Sequence, residues 1–225
     1  MTVTYIYHSG FLVELPHVTL LFDYYTGEIP PIRKDIPLYI FASHSHGDHF
    51  NRKIFKLARE AAAVRYYLSS DITKASVPEN MLNQTTFLGA DEQMEISDPA
   101  PVRIRTLRSN DLGVAFIVET DGKKLYFAGD LNNWWWDGDE EDRHLEAAYH
   151  QELEKIRGEA FDAAFIPLDP RLLGYEKGIE DFLRYASAKT IFPMHFGHKH
   201  EIIETMLPDP RLVRIDRPGQ RFEIS

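Results

Sequence analysis

With 225 residues, 44% of them hydrophobic, the chain is long enough to bury a core, yet no apolar run in it could span a membrane. A formal net charge of −10 argues against a general nucleic-acid binder, since phosphate binding relies on clustered Lys and Arg. The absence of cysteine excludes disulfides and thiolate ligands and fits a cytoplasmic protein.

The first residues, Met1 to Tyr5, carry neither a basic segment nor a signal-type apolar core, so export by that route is not expected. Val3 to Tyr7, Phe11 to Leu15 and Val18 to Phe22 read as three short strands, with turns at His8-Ser9-Gly10 and Pro16-His17 and with Asp23 ending the third. Gly27 to Pro31 holds too much proline for a helix or a central strand. Leu38 to Ala42 is a buried strand. Its carboxyl end opens into His44-Ser45-His46-Gly47-Asp48-His49, where four strong ligand side chains crowd into six positions around a glycine. Such a loop has little structural rationale, because each imidazole and carboxylate would need its own partner if buried. It reads as a metal site.

Asn51 can cap a helix with its apolar stripe at Ile54, Leu57, Ala58 and Ala61, and Val64 to Ser69 is the next strand. Asp71 to Leu88 reads as a short helix and loops. Val102 to Leu107 alternates as a half-buried strand. Val114 to Thr120 and Lys123 to Ala128 form a hairpin about Asp121-Gly122, followed at the strand end by Gly129-Asp130. A helix over Glu140 to Arg157, a strand over Asp162 to Pro167, a helix over Gly178 to Ser187 and a strand over Thr190 to Pro193 lead to Met194-His195. A helix over Lys199 to Leu207 and strands over Leu212 to Ile215 and Arg221 to Ile224 close the chain. No linker or repeat interrupts residues 1–225, so a single domain with two central sheets and helices outside is expected.

Asp23, the run His44-X-His46-X-Asp48-His49, Asp130 and His195, each placed after a strand, are similar to the ligand pattern of the metallo-β-lactamase superfamily. The resemblance covers almost the whole chain. It implies an α/β fold, the αββα four-layer sandwich, and a metal-dependent hydrolase with two divalent ions at one sheet edge, zinc by superfamily habit. It further implies that His44 and His46 hold the first ion, that Asp48, His49 and His195 hold the second, that Asp130 bridges them and that Asp23 supports the site by hydrogen bonding. One element departs from the pattern. The histidine usually found before the hairpin strand is missing from Leu107 to Gly113, where Asp111 is the leading replacement and Asn110 the second. Carboxylate oxygen in that place moves preference toward manganese or iron without excluding zinc. A looser likeness is to the ascorbate-6-phosphate lactonase branch, whose members often use manganese.

Outside the ligand set, His8 reads as a hydrogen-bonding turn residue, while His198 and His200 are either solvated or part of the cleft. Three adjacent indoles, Trp134 to Trp136, cannot all face inward, so at least one lines a pocket or an interface between copies of the chain. Asp169-Pro170-Arg171 is either a turn with an exposed ion pair or places Arg171 to hold an anionic substrate group. Metal-bound hydroxide, with Asp48 and Asp130 orienting it, would then act on a small, anionic or neutral ester, lactone, amide or phosphoester. The competing readings are an RNA-processing nuclease with the same ligand run, a di-iron redox enzyme, and a binding module on a degenerate site.

Overall fold

In the computed structural model, which describes residues 1–206 and 209–224, the opening alternation folds into an antiparallel meander of β1 (Thr2–Tyr7), β2 (Gly10–Glu14) and β3 (Thr19–Phe22). Successive side chains point to opposite faces of a strand. Val3, Tyr5, Phe11, Val13, Leu20 and Phe22 therefore fill one core, and Ile6, Leu12 and Leu21 another. β4 (Leu38–Ala42) and β5 (Val64–Ser69) extend the sheet in parallel. All five β4 positions are buried, which is why it reads as an unbroken apolar run. β6 (Thr85–Leu88) adds a further parallel strand.

The second sheet begins with β7 (Gln93–Ile96), β8 (Val102–Arg108), β9 (Val114–Thr120) and β10 (Lys123–Phe127), all antiparallel. After helix α1 (Glu140–Glu154), β11 (Ala160–Pro167) pairs parallel with β10. After α2 (Lys177–Tyr185), β12 (Ser187–Met194) pairs parallel with β11. β13 (Arg221–Glu223) returns to the free edge of β1. The sheet orders are β13-β1-β2-β3-β4-β5-β6 and β12-β11-β10-β9-β8-β7.

Aromatic rings join the two sheets. Phe22 stacks on both Phe41 and Phe127, with centroids 4.8 and 4.7 Å apart, and Phe11 meets Phe165 edge-on at 4.9 Å. On the far side of the second sheet Tyr126 stacks on Phe182 of α2, and Tyr149 and Leu153 of α1 are fully buried. The outer layer over the first sheet is built differently. The stretch expected as a helix after Asn51 is a 3₁₀ segment, Arg52–Arg59, capped by the Asn51 side chain on the Lys53 N–H. Only the adjacent pair Ile54 and Phe55 is buried there, so packing pins one turn rather than a full apolar stripe.

Other expectations shift as well. Asp71 to Leu88 holds two 3₁₀ turns and then β6, and β7 was not foreseen; both are short, half-buried strands with weak alternation. The helix expected over Lys199 to Leu207 is a 3₁₀ segment, His200–Met206, and Leu207 lies outside the described residues. Leu212 to Ile215 forms no strand; it touches β12 through the single bridge Ile191 to Leu212. Among the described residues no helix is long and apolar enough to cross a membrane.

Candidate metal centre

The carboxyl ends of β1, β3, β4, β8, β10, β11 and β12 meet along one edge of the sandwich, the edge where ligands gather in open α/β sheets. They deliver His8, Asp23, the loop 43–49, Asp111, Asp130, Asp169 and His195 in that order. Several close contacts hold the loop. The Ser45 N–H donates to Asp71, and the Val114 N–H donates to the Ser43 carbonyl. Gly113, at φ +74°, passes so near that a Cβ there would sit 2.1 Å from the Ser43 oxygen. A glycine is the residue that this approach admits.

The ligand atoms fall into two groups, each within 4.8 Å: His44, His46, Asp111 and Asp130, then His8, Asp48, His49 and His195. Asp130 stands between them. Its Oδ2 lies 3.4 Å from His44 Nε2, and its Oδ1 lies 3.2 Å from His49 Nε2 and 3.5 Å from His195 Nε2. His46 Nδ1 is 3.9 Å from Asp111, and His8 Nε2 is 3.4 Å from Asp48. Two donors about 2.1 Å from one ion lie roughly 3.0 Å apart at a right angle and roughly 3.4 Å apart at a tetrahedral angle. The spacings of 3.2 to 3.5 Å match donors that share ions better than they match hydrogen bonds, which would be shorter, and of these gaps only that between His46 and Asp111 is wider.

The histidines are also oriented for this task. His49 Nδ1 donates to Asp23 at 2.6 Å, His195 Nδ1 to Asp169 at 3.0 Å, and His44 Nδ1 to the Ser43 hydroxyl, which itself donates to Asp23. A carboxylate only accepts, so the proton sits on Nδ1 and the Nε2 lone pair faces the centre. The buried Nε2 atoms of His8, His44 and His49 and Oδ1 of Asp130 have no hydrogen-bond partner. Four unpartnered lone-pair atoms spread over two adjoining groups are costly unless cations take them. The residues therefore fit divalent metal.

Burial sets the electrostatics. Desolvation pushes the Asp23 carboxyl up to about 7, against the pull of His44 and the hydrogen bonds from Ser43, and drives Asp130 well above the usual carboxylate range. Desolvation, then the neighbouring His49, takes His44 down to about 3, so its imidazole is neutral, the form that can ligate.

Asn110 is spent elsewhere. Its side-chain NH₂ donates to the carbonyls of Asn132 and Leu145, and its oxygen accepts the Asn132 N–H. The Asp111 carboxylate, by contrast, is about half exposed and belongs to the first group. The Ser-Gly turn gives His8 a structural reading, but its ring turns into the second group. The overlooked signal is that it follows a strand on the same edge as every other ligand. Asp169 is likewise more than the turn residue that its sequence suggests. It is buried, and it holds both His195 and Arg171.

A cavity of about 560 Å³ opens over the centre, walled by His46, Asp111, Trp134, Trp136, Glu141 and Arg171. Trp134 is buried, donates its indole N–H to the Asp130 carbonyl and stacks on the half-exposed Trp136, with centroids 6.1 Å apart. Trp135 turns away, its ring beneath Lys177 at 3.7 Å. Arg171 commits Nε and one terminal nitrogen to Asp169, so an incoming anion would meet the rest of its fork. A second depression of about 420 Å³ on the other side of Arg171 and Asp48 includes His8 and His198, whose Nε2 lies 3.0 Å from the Tyr7 hydroxyl. His200 instead donates Nδ1 to the Ile215 carbonyl. A third grouping, Glu146, His150 and Asp181, is matched internally by Lys177, Arg184 and Asn133.

Comparison with known proteins identifies the family and the fold. The family model for the β-lactamase superfamily domain matches residues 2–195. A UPF0173 metal-dependent hydrolase from Opitutus terrae is 24% identical over the full length of both chains. Igni18, a metallo hydrolase from Ignicoccus hospitalis, superposes with a TM-score of 0.68 at 17% identity, covering 100% of this chain and 99% of that one. CmlA, a diiron β-hydroxylase from Streptomyces venezuelae, superposes at 0.51 and 14% identity, over 88% of this chain and 45% of its own. At these identities the structural likenesses speak for the fold alone.

Proposed function

Since the chain belongs to the β-lactamase superfamily, we propose that it is a metal-dependent hydrolase acting on a small ester, lactone or phosphoester, with an anionic group as a favoured substrate feature. The observation that carries this reading is the pair of donor groups sharing Asp130, with buried lone pairs unpartnered, at the floor of a cavity sized for a small molecule. His44, His46, Asp111 and Asp130 would hold one divalent ion. Asp48, His49, His195 and Asp130 would hold the second, with zinc, manganese or iron all compatible with nitrogen and oxygen donors. When bound, such ions acidify water and polarise the bond under attack.

The remaining work falls to the chain's own groups. Asp48 is 43% exposed at the cavity floor, so its carboxylate can orient the attacking water and pass a proton to solvent or to the leaving group. Asp130, buried between the two groups, fixes their separation. Trp134 and Trp136 offer a flat apolar wall, Arg171 a cation over the Trp136 ring, 5.6 Å from its centroid, and His198 a polar edge on the far side. RNA is disfavoured as the substrate, because the wall includes Asp111 and Glu141 and the chain carries a net charge of −10.

The test is elemental analysis of the purified protein, followed by a screen of lactones, phosphodiesters and thioesters with manganese and with zinc. The expected result is bound metal and hydrolysis that ceases with Asp130→Ala. Protein that holds no metal and gains no activity from either ion would end this reading.

A further inference from the structure

We propose that His8 is a ligand of the second metal position, and that this position fills before the first and holds its ion more tightly. The inference rests on the two-ion reading above. β1 is irregular between Tyr5 and Tyr7, and His8 then takes φ +57°, a left-handed conformation that costs a residue with a side chain. The strained turn is fastened on two sides. The His8 N–H donates to the Tyr5 hydroxyl at 2.9 Å, and the His8 carbonyl accepts the His195 N–H at 3.1 Å. This clamp brings the His8 ring to 4.2 Å from that of His195 and 5.9 Å from that of His49.

A histidine kept for structure spends its buried ring nitrogen on a carbonyl or a hydroxyl. His8 Nε2 has no such partner; its neighbour is Asp48 Oδ2, at the spacing of two donors on one ion. With His8 included, the second position offers three imidazoles, Asp48 and the shared Asp130, and the first offers two imidazoles, Asp111 and the same Asp130.

The supporting shell differs in the same direction. At the second position, His49 is locked by Asp23 and His195 by Asp169, and both histidines are buried. At the first, His44 is likewise buried and held through Ser43, but two ligands, His46 and Asp111, are about half exposed, against Asp48 alone at the second. Outer-shell partners that fix ring orientation raise affinity, and nitrogen-rich sets bind late first-row metals more strongly than oxygen-rich ones. Both effects favour the second position.

The test uses the full chain stripped with a chelator and titrated with Zn²⁺ alone, and with Co²⁺ alone as the spectroscopic probe. The wild type should show two classes of site, the first equivalent binding at least about tenfold more tightly than the second. His46→Ala should remove the weak class and leave the tight one. His8→Gly suits the left-handed backbone, so it deletes the imidazole without adding strain. It should weaken the tight class by about 10- to 100-fold and alter the Co²⁺ spectrum of the first equivalent. His8→Asn, also tolerated at this φ, should weaken the tight class in the same way. A tight class and a first-equivalent spectrum unchanged in both His8 variants would overturn the His8 assignment alone. Loss of the tight class in His46→Ala would overturn the loading order. Absence of any bound ion would overturn the functional reading as well.

Discussion

At the scale of single residues, Asp111 and Arg171 would, on the proposed two-ion reading, decide what the centre prefers. Asp111 is the proposed replacement for the imidazole of the superfamily pattern, and it is held only loosely. Its backbone N–H meets the Ser109 hydroxyl, while its carboxylate is half exposed. Asp111→His should therefore tighten Zn²⁺ at the weak class by about tenfold and lower the relative affinity for Mn²⁺, because imidazole replaces a hard oxygen. Competition against a metallochromic chelator would measure both changes. Arg171 is 61% exposed, so the proposed hold on an anion would be screened and would belong at the low end of charged hydrogen bonds. For an anionic substrate, Arg171→Ala should raise KM by about tenfold and leave that of a neutral analogue little changed. Equal effects on both substrates would point instead to its bond with Asp169.

At the scale of elements, the first turn of α1 sets the mouth of the cavity. Asp139 caps the helix, and the Asp142 carboxylate accepts the N–H groups of Trp136, Asp137 and Gly138 on one oxygen, folding the tryptophan loop back onto the helix. Burial opposes the charged form of Asp142, but these donors outweigh it and hold its pKa below the ordinary 3.8. A depressed carboxyl pKa gives stability that is complete above the unfolded value and is lost as pH falls through the folded one. Asp142→Asn should cost about 1–2 kcal/mol near neutral pH, where a charged acceptor becomes a neutral one. In paired thermal melts, the gap between Asp142→Asn and wild type should persist down to about pH 4 and close below it. The same segment shows what the sequence could disclose. Three adjacent tryptophans demanded that one leave the core, and Trp136 does, but the carboxylate that steers it lies on the next helix. The strand-end order of Asp130 and His195 was legible because buried strands are apolar runs with abrupt polar ends. β6 and β7, short and half exposed, lack that contrast. His8 was hidden because a Ser-Gly turn explains a histidine locally, whereas its role depends on β1 lying two strands from β3 and facing β12.

At the scale of the whole molecule, the two sheets and their aromatic interlayer form a rigid frame, and unfavourable local terms are concentrated at one edge of it. Of the five non-glycine residues with positive φ among the described residues, His8, Asp23 and His195 belong to the centre. The same edge collects buried imidazoles held neutral and a carboxyl pushed up to about 7. Strain of this kind persists where the surrounding structure over-determines it. Cations binding only the folded form would repay it, because a ligand at 1,000 times its dissociation constant adds about 4 kcal/mol of stability. For a chain of this length each kcal/mol moves the melting temperature by about 2–4 °C. Removing a well-bound ion with a chelator should therefore lower the melting temperature by roughly 8–16 °C. The dependence on free ion carries more information than the drop itself. Each saturated site adds about 1.4 kcal/mol per tenfold rise in free ion, so two sites give twice the slope of one. If the second position fills first, stability plotted against the logarithm of free Zn²⁺ should rise with the single-site slope and then double as the first position loads. A single slope throughout would mean one ion, and His46→Ala should convert the two-slope curve into that form.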